Sequence, residues 1–168
     1  YQDYMGNPEK STGLFTETGD VQTMEEKTKL KDIFKQAQSK DSLMWQTVIS
    51  FDNKWLEKNG LYSSKDKVLD EERVKGITRS AVHKMLEKEG LENAVWSAAI
   101  HYNTDNIHVH VATVEPEPMR EKKKYIQYKN CEVNGKTVKE PILDSDGQPV
   151  VKEEYKGKFK QSSIDTCK

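Results

Sequence analysis

Cysteine is scarce in this chain of 168 residues: Cys131 and Cys167 stand far apart, and no Cys-x-x-Cys pair occurs. That excludes a disulfide framework and a cysteine-based zinc knuckle, and it fits a reducing, cytoplasmic setting. Long apolar runs are missing too. No segment approaches the roughly 20 residues that cross a bilayer, and no basic-then-apolar leader is present, so a soluble protein is expected. Apolar residues make up 34% of the chain and charged residues 33%, a lean balance that leaves some of it as exposed arm or loop rather than packed layer. The length suits one domain with a real core and is short for two. A start at Tyr1 rather than Met, and an end at "SSIDTCK" without a helix terminator, read as part of something longer.

The net charge of −1 hides an uneven distribution. Residues 1–26 carry six acids and one Lys, whereas 120–139 carry seven basic residues and two acids, so local fields outweigh the total.

Periodicity and turn chemistry give a coarse map. "NPEKSTGLFTETGD" is rich in turn formers and reads as loop. Thr23 and Glu26 form a capping box ahead of Leu30, Ile33, Phe34 and Ala37, which predicts an amphipathic helix over 24–38. "LMWQTVISF" (43–51) has the β-branched and aromatic content of a strand buried on both faces, with Trp55 and Leu56 tucked under the connection that follows. Asp70 caps a second helix lined by Val74, Ile77, Ala81 and Met85 and ended by Gly90, with His83 turned to solvent. "AVWSAAIHY" (94–102) and "IHVHVATV" (107–114) are strands joined by "NTDN". The fold class expected is α+β, a mainly antiparallel sheet with helices covering one face, as in a split β-α-β sandwich. Beyond "EPEP", the Asn134-Gly135 and Asp146-Gly147 pairs sit between short β-prone runs, as hairpin turns do. We therefore divide the chain into a core (1–118) and a basic β arm (119–168) of the same domain.

"HYNTDNIHVHV" gathers three of the four histidines. Alternation along a strand puts His108, His110 and Ala112 on one face and Ile107, Val109 and Val111 on the other. If "NTDN" closes a four-residue loop, His101 lies opposite His108, Ala99 opposite His110 and Ser97 opposite Ala112. Paired Cβ atoms then stand about 5 Å apart on the same side. Three imidazoles converge, and Ala99, Ser97 and Ala112 are small enough to leave room above them. Protonated together the three would repel one another; neutral, they form a tripod for a divalent metal with open positions for water or substrate. Asp105 and Asp52 are candidate carboxylates to orient a ligand histidine, although turn chemistry and a strand-end cap explain them equally well.

The run "AIHYNTDNIHVHVATVEP", with its His-x6-His-x-His spacing, resembles the histidine motif of mobilisation relaxases, the His-hydrophobe-His endonucleases. "MGNPEKSTGLFT", "LMWQTVISFDNKWL" and "FKQSSID" further resemble MobL-like mobilisation proteins of Gram-positive bacteria, and the likeness spans nearly the whole chain. The resemblance implies a sheet presenting a three-histidine site for Mn²⁺ or Mg²⁺, with His101, His108 and His110 as the ligands. It also implies a tyrosine that attacks single-stranded DNA at an origin of transfer, leaving a 5′-phosphotyrosyl link and a free 3′-hydroxyl, in company with other relaxosome proteins. In such enzymes the tyrosine lies near the N-terminus, where this chain offers Tyr4 and Tyr1. Tyr102 is set aside because alternation points it away from His101.

Arg120, Lys122, Lys123, Lys124 and Lys129, interleaved with Tyr125 and Tyr128, supply the charges and stacking faces that single-strand grooves use, though basic runs are often only solvated surface. Rival readings are a rolling-circle replication initiator, a three-histidine zinc hydrolase and a non-catalytic DNA-binding module. The hydrolase lacks an evident Glu beside the tripod to act as general base.

Overall fold

The computed structural model describes residues 12–102 and 106–167. In chain order these form α1 (Met24–Ser39), β1 (Met44–Ser50), α2 (Asn53–Lys58), β2 (Tyr62–Ser63), β3 (Val68–Leu69), α3 (Glu71–Glu89), β4 (Val95–His101) and β5 (His108–Val114). There follow β6 (Lys122–Ile126), β7 (Tyr128–Val133), β8 (Lys136–Pro141), β9 (Val151–Tyr155) and α4 (Gln161–Ile164), which runs into a 3₁₀ turn at Asp165–Cys167. The fold is α+β and its ladders are antiparallel. Two compact units result: one takes the chain up to Pro118 and again from Gly157 onward, the other is Met119–Lys156.

The first unit is built on a sheet of order β1-β5-β4. One face carries Ile49, Trp96, Ala98, Ile100, Val109 and Val111, and it packs on Val74, Val82, Met85 and Leu86 of α3 together with Phe15, Leu56, Leu61 and Leu91. Asp70 starts α3 by accepting the Arg73 N–H at 3.2 Å, and Gly90, at φ 73°, ends it in the left-handed region that glycine adopts without strain. The buried stripe of α3 is rotated from the one expected: Thr78 and Val82 are fully buried, while Ile77 is exposed. Thr78 fits there because its hydroxyl donates to the Val74 carbonyl at 2.9 Å, which leaves its methyl as the face shown to the core.

Helices do not keep to one face. The capping box at Thr23 and Glu26 is formed, and α1 lays Leu30, Phe34 and Ala37 against Ala99, Ala112 and Val114, on the same side of the sheet as the histidines. The small residues of that face admit a helix rather than leave space over the imidazoles; Ala99 and Ala112 are fully buried. Among the described residues the far end of the face, where the histidines lie, and the β1 edge beside it stay partly open.

Three further expectations are corrected. β1 is an edge strand, not one buried on both sides: Gln46, Val48 and Ser50 are exposed. Leu56 is buried as foreseen, but Trp55 is 48% exposed. The segment read wholly as loop contains a short added pairing, because Leu14 and Phe15 each have a core to enter. Phe15 and Ala98 exchange backbone hydrogen bonds of 2.9 and 2.8 Å, and the Thr12 N–H reaches the Ile100 carbonyl at 3.1 Å. This zipper runs beside β4, and salt bridges from Asp20 to Lys75 (2.7 Å) and Arg79 (3.4 Å) tie the following turn to α3.

The second unit pairs β6 with β9 and β7 with β8. Asn134 and Gly135, both at positive φ (53° and 73°), make the tight turn between β7 and β8. None of its residues is buried. The chain from Gly157 onward is not part of it. There Trp45 Nε1 donates to the Gly157 carbonyl at 2.6 Å and stacks near Phe159, and the Lys160 N–H donates to Glu89.

Candidate metal centre

The register of β4 with β5 sets His101 opposite His108 and Ala99 opposite His110, while β1 sets Ser50 opposite His108 and Val48 opposite His110. Cross-strand partners project from the same side of a sheet, so the rows Ser50–His108–His101 and Val48–His110–Ala99 form one surface. The three rings meet there, with centroids 4.6, 4.9 and 5.5 Å apart. Each offers a nitrogen, and these three atoms lie within 4.8 Å of one another. His101 is buried at 6% exposure; His108 and His110 are half-buried.

The surroundings of His108 and His110 suit coordination. His108 Nδ1 is 3.0 Å from the Asn106 carbonyl oxygen. A carbonyl only accepts, so Nδ1 is the donor of this bond, and Nε2 is the nitrogen left to face a cation. Burial, and then the neighbouring His108, push the His110 pKa down, which favours the neutral ring that binds a cation. Three imidazole nitrogens fit a divalent ion of the first transition row. With no carboxylate among them, such an ion would keep its full positive charge, the property a phosphate-directed site needs.

The Asp52 carboxylate caps α2, accepting the Trp55 N–H at 3.0 Å. Asp105, Tyr1 and Tyr4 lie outside the described residues. Tyr102 is exposed, and His83 is far along the surface of α3, exposed and 3.2 Å from Glu17. Two residues were missed from sequence. Asn106 supplies the carbonyl that orients His108. Asn53, from α2, accepts the Ile107 N–H through Oδ1 at 3.1 Å and so pins the start of β5 one residue before the first ligand of that strand. Neither advertises itself, since Asn before a helix or in a turn is ordinary chemistry. Asn53→Ala should lower stability by about 1 kcal/mol and weaken Mn²⁺ affinity roughly tenfold, read by thermal unfolding and by calorimetric titration. Unchanged affinity would assign Asn53 to the fold alone.

A family model described as MobL relaxases matches residues 1–168, the full sequence. The chain belongs to the MobL relaxase family. Comparisons with curated proteins and with solved structures give no match. Membership gives this MobL chain a relaxase role in mobile elements, with single-stranded DNA as the kind of nucleic acid bound and a metal requirement general to relaxases. No helix among its described residues is long and apolar enough to cross a membrane.

The basic stretch of the MobL arm is less positive in space than in sequence. Lys123 and Lys129 pair across their ladders with Glu154 and Glu140. Lys124 lies 3.9 Å from Glu153, and the Lys122 ammonium sits 4.7 Å above the Tyr155 ring. Met119–Lys156 holds nine basic and seven acidic residues in all. Tyr125 and Tyr128 are exposed, and Arg120 is half-buried at the start of the unit.

Proposed function

We propose that this relaxase is a strand- and site-specific nicking enzyme that joins itself to DNA at an origin of transfer through a 5′-phosphotyrosyl bond, with His101, His108 and His110 holding a divalent cation, Mn²⁺ or Mg²⁺ before Zn²⁺. The observation carrying this reading is the convergence of three imidazoles on the open end of the sheet. A cation held there supplies Lewis-acid polarisation of a phosphoryl oxygen.

Tyr4, with Tyr1 as the substitute, provides the nucleophile. Its phenolic oxygen bonds to the scissile phosphorus as the bond to the 3′-oxygen breaks. The phenolic proton leaves, the departing oxygen gains one and becomes the 3′-hydroxyl, and one phosphate ester replaces another so that the reverse reaction reseals the strand. The N-terminal zipper favours a tyrosine upstream of it. The Thr12 N–H bonds Ile100, the residue before His101, and the eight residues from Tyr4 to Thr12 span at most about 28 Å. The reaction takes place in the cytoplasm, with other relaxosome proteins on the same DNA.

The test is an origin oligonucleotide labelled at its 3′ end, incubated with protein and Mn²⁺. The label should become covalently attached to protein, and Tyr4→Phe should abolish attachment. A freely released labelled fragment would instead mean hydrolysis, and binding without cleavage would mean a non-catalytic module.

Arg120, Lys122, Lys123, Lys124, Tyr125, Tyr128 and Lys129 contribute to DNA affinity in this reading, but modestly, because glutamates offset the lysines. Lys123→Ala with Lys124→Ala should weaken binding of single-stranded DNA only about threefold and shift the salt slope by about one charge. A slope change near 1.4, about the full value for two lost phosphate contacts on a single strand, would restore the arm as the principal contact.

A further inference from the structure

The histidine surface is closed on two sides. Residues 12–15 line the β4 edge, and α1 covers the sheet beyond Ala99 and Ala112. The third side is β1, the other edge of the sheet, where Val48 is 52% exposed and Ser50 stands open next to His108 in the cross-strand row. Along this edge runs a groove of about 610 Å³, to which Val48 and Ser50 belong, while Ile49, Ile77 and Met85 line it on the side that faces α3, with Asp52, Trp55 and Ile164 also on its wall. That volume lies within the range of small-ligand sites, so it accommodates a nucleobase.

Trp55 is the unexplained residue of this groove. It sits on a six-residue helix whose single buried side chain is Leu56, and the indole is 48% exposed. Nothing in the packing of α2 requires a tryptophan there. An exposed, flat aromatic in a groove at the sheet edge is the kind of platform on which bases of a single strand stack, whatever their identity. Asp52 fits this division of labour: its charge disfavours phosphates inside the groove, which leaves the neutral base faces to enter it. Lys54 and Lys58, four residues apart on the same helix, are exposed and available to the backbone.

Building on the nicking function proposed above, we propose that the substrate strand reaches the histidine site across β1, with a base near the scissile phosphate stacked on the indole of Trp55. Single-stranded DNA is favoured as occupant because the groove shares Val48 and Ser50 with the cross-strand rows of His110 and His108, and the family acts on such DNA.

The experiment measures binding of a fluorescent origin oligonucleotide to the whole chain in EDTA, and nicking in Mn²⁺, for Trp55→Ala and Trp55→Phe. Both variants should fold, since the side chain is half in water; thermal unfolding checks this. Trp55→Ala should weaken binding about tenfold or more and raise KM with kcat nearly unchanged, while Trp55→Phe retains most of the affinity. A 5-iodouridine placed near the nick should photocrosslink to the peptide containing Trp55. Equal affinity of Trp55→Ala and the parent chain, without a crosslink, overturns the proposal. So does a lost kcat at constant KM, or unchanged DNA binding accompanied by an altered oligomeric state, which would make the groove a protein-docking face. The EDTA measurement needs no nicking, so failure of the reaction proposal is read separately.

Discussion

His108→Ala should bind Mn²⁺ at least about 100-fold more weakly and slow covalent adduct formation on the order of a thousandfold, the equivalent of the several kcal/mol that a Lewis acid contributes to charge stabilisation. His108 is the ligand of choice for this experiment. It is half-buried on a strand whose opposite face makes the core, whereas His101 is 6% exposed, so alanine at 101 also leaves a cavity. His83→Ala is the matched control, being exposed on α3 and paired only at the surface with Glu17. Calorimetry reads the metal, a denaturing gel reads the adduct, and the melting temperature of the metal-free protein should barely move. Retention of parental nicking by His108→Ala would dismiss the tripod as a catalytic centre.

Asp20→Ala should cost about 3 kcal/mol of stability. Lys75 is nearly buried, with its side chain 6% exposed, and its ammonium is held by Asp20 at 2.7 Å and Glu72 at 3.1 Å. Desolvation, the largest single influence, lowers the Lys75 pKa, but the hydrogen bonds and the negative charges of Asp20 and Glu72 together outweigh it and the net shift is upward. A lysine whose folded pKa is raised adds stability that is complete below its unfolded pKa and is lost as pH rises through the higher folded value. The contribution is therefore full at neutral pH and disappears only in strong alkali. Asp20 is itself 31% exposed, which places the cost at the lower end for a broken buried pair. The same substitution releases Arg79, whose guanidinium lies 3.4 Å from Asp20, 5.5 Å from the Phe15 ring and, through Nε, 2.9 Å from the Thr16 carbonyl. The double variant Asp20→Ala, Lys75→Met should recover most of the loss, because no charge is left buried alone. Chemical denaturation at pH 7 decides this; a loss under 1 kcal/mol would show the lysine re-solvating freely.

The local signals in the sequence were strong where one residue type has one physical use. Thr23 with Glu26, Asp70, Gly90 and Asn134-Gly135 each satisfied a terminus or turn as their chemistry requires, and the alternation in 107–114 gave the register of His101 with His108. Long-range partners were not legible. Ala99 and Ala112 look like empty space until α1 is seen to fill it. Exposure of Gln46, Val48 and Ser50 depends on β1 being an edge, a fact of strand order that its own β-branched composition does not encode. Lysines 122–124 look uncompensated because Glu153 and Glu154, their neighbours across the ladder, come some thirty residues later. Hydrophobicity alone would place Trp55 in the interior, but it does not encode which side of a short helix the residue occupies.

Two of the three imidazoles sit on β5, the middle strand of the sheet, and the reverse side of the same seven residues carries Val109, Val111 and Thr113 into the interior. Inserting or deleting a single residue there would exchange the two sides, sending histidines inward and valines to water. Divergence in this family should therefore tolerate substitutions along that strand far better than changes in its length, because its chemistry and its folding share one reading frame.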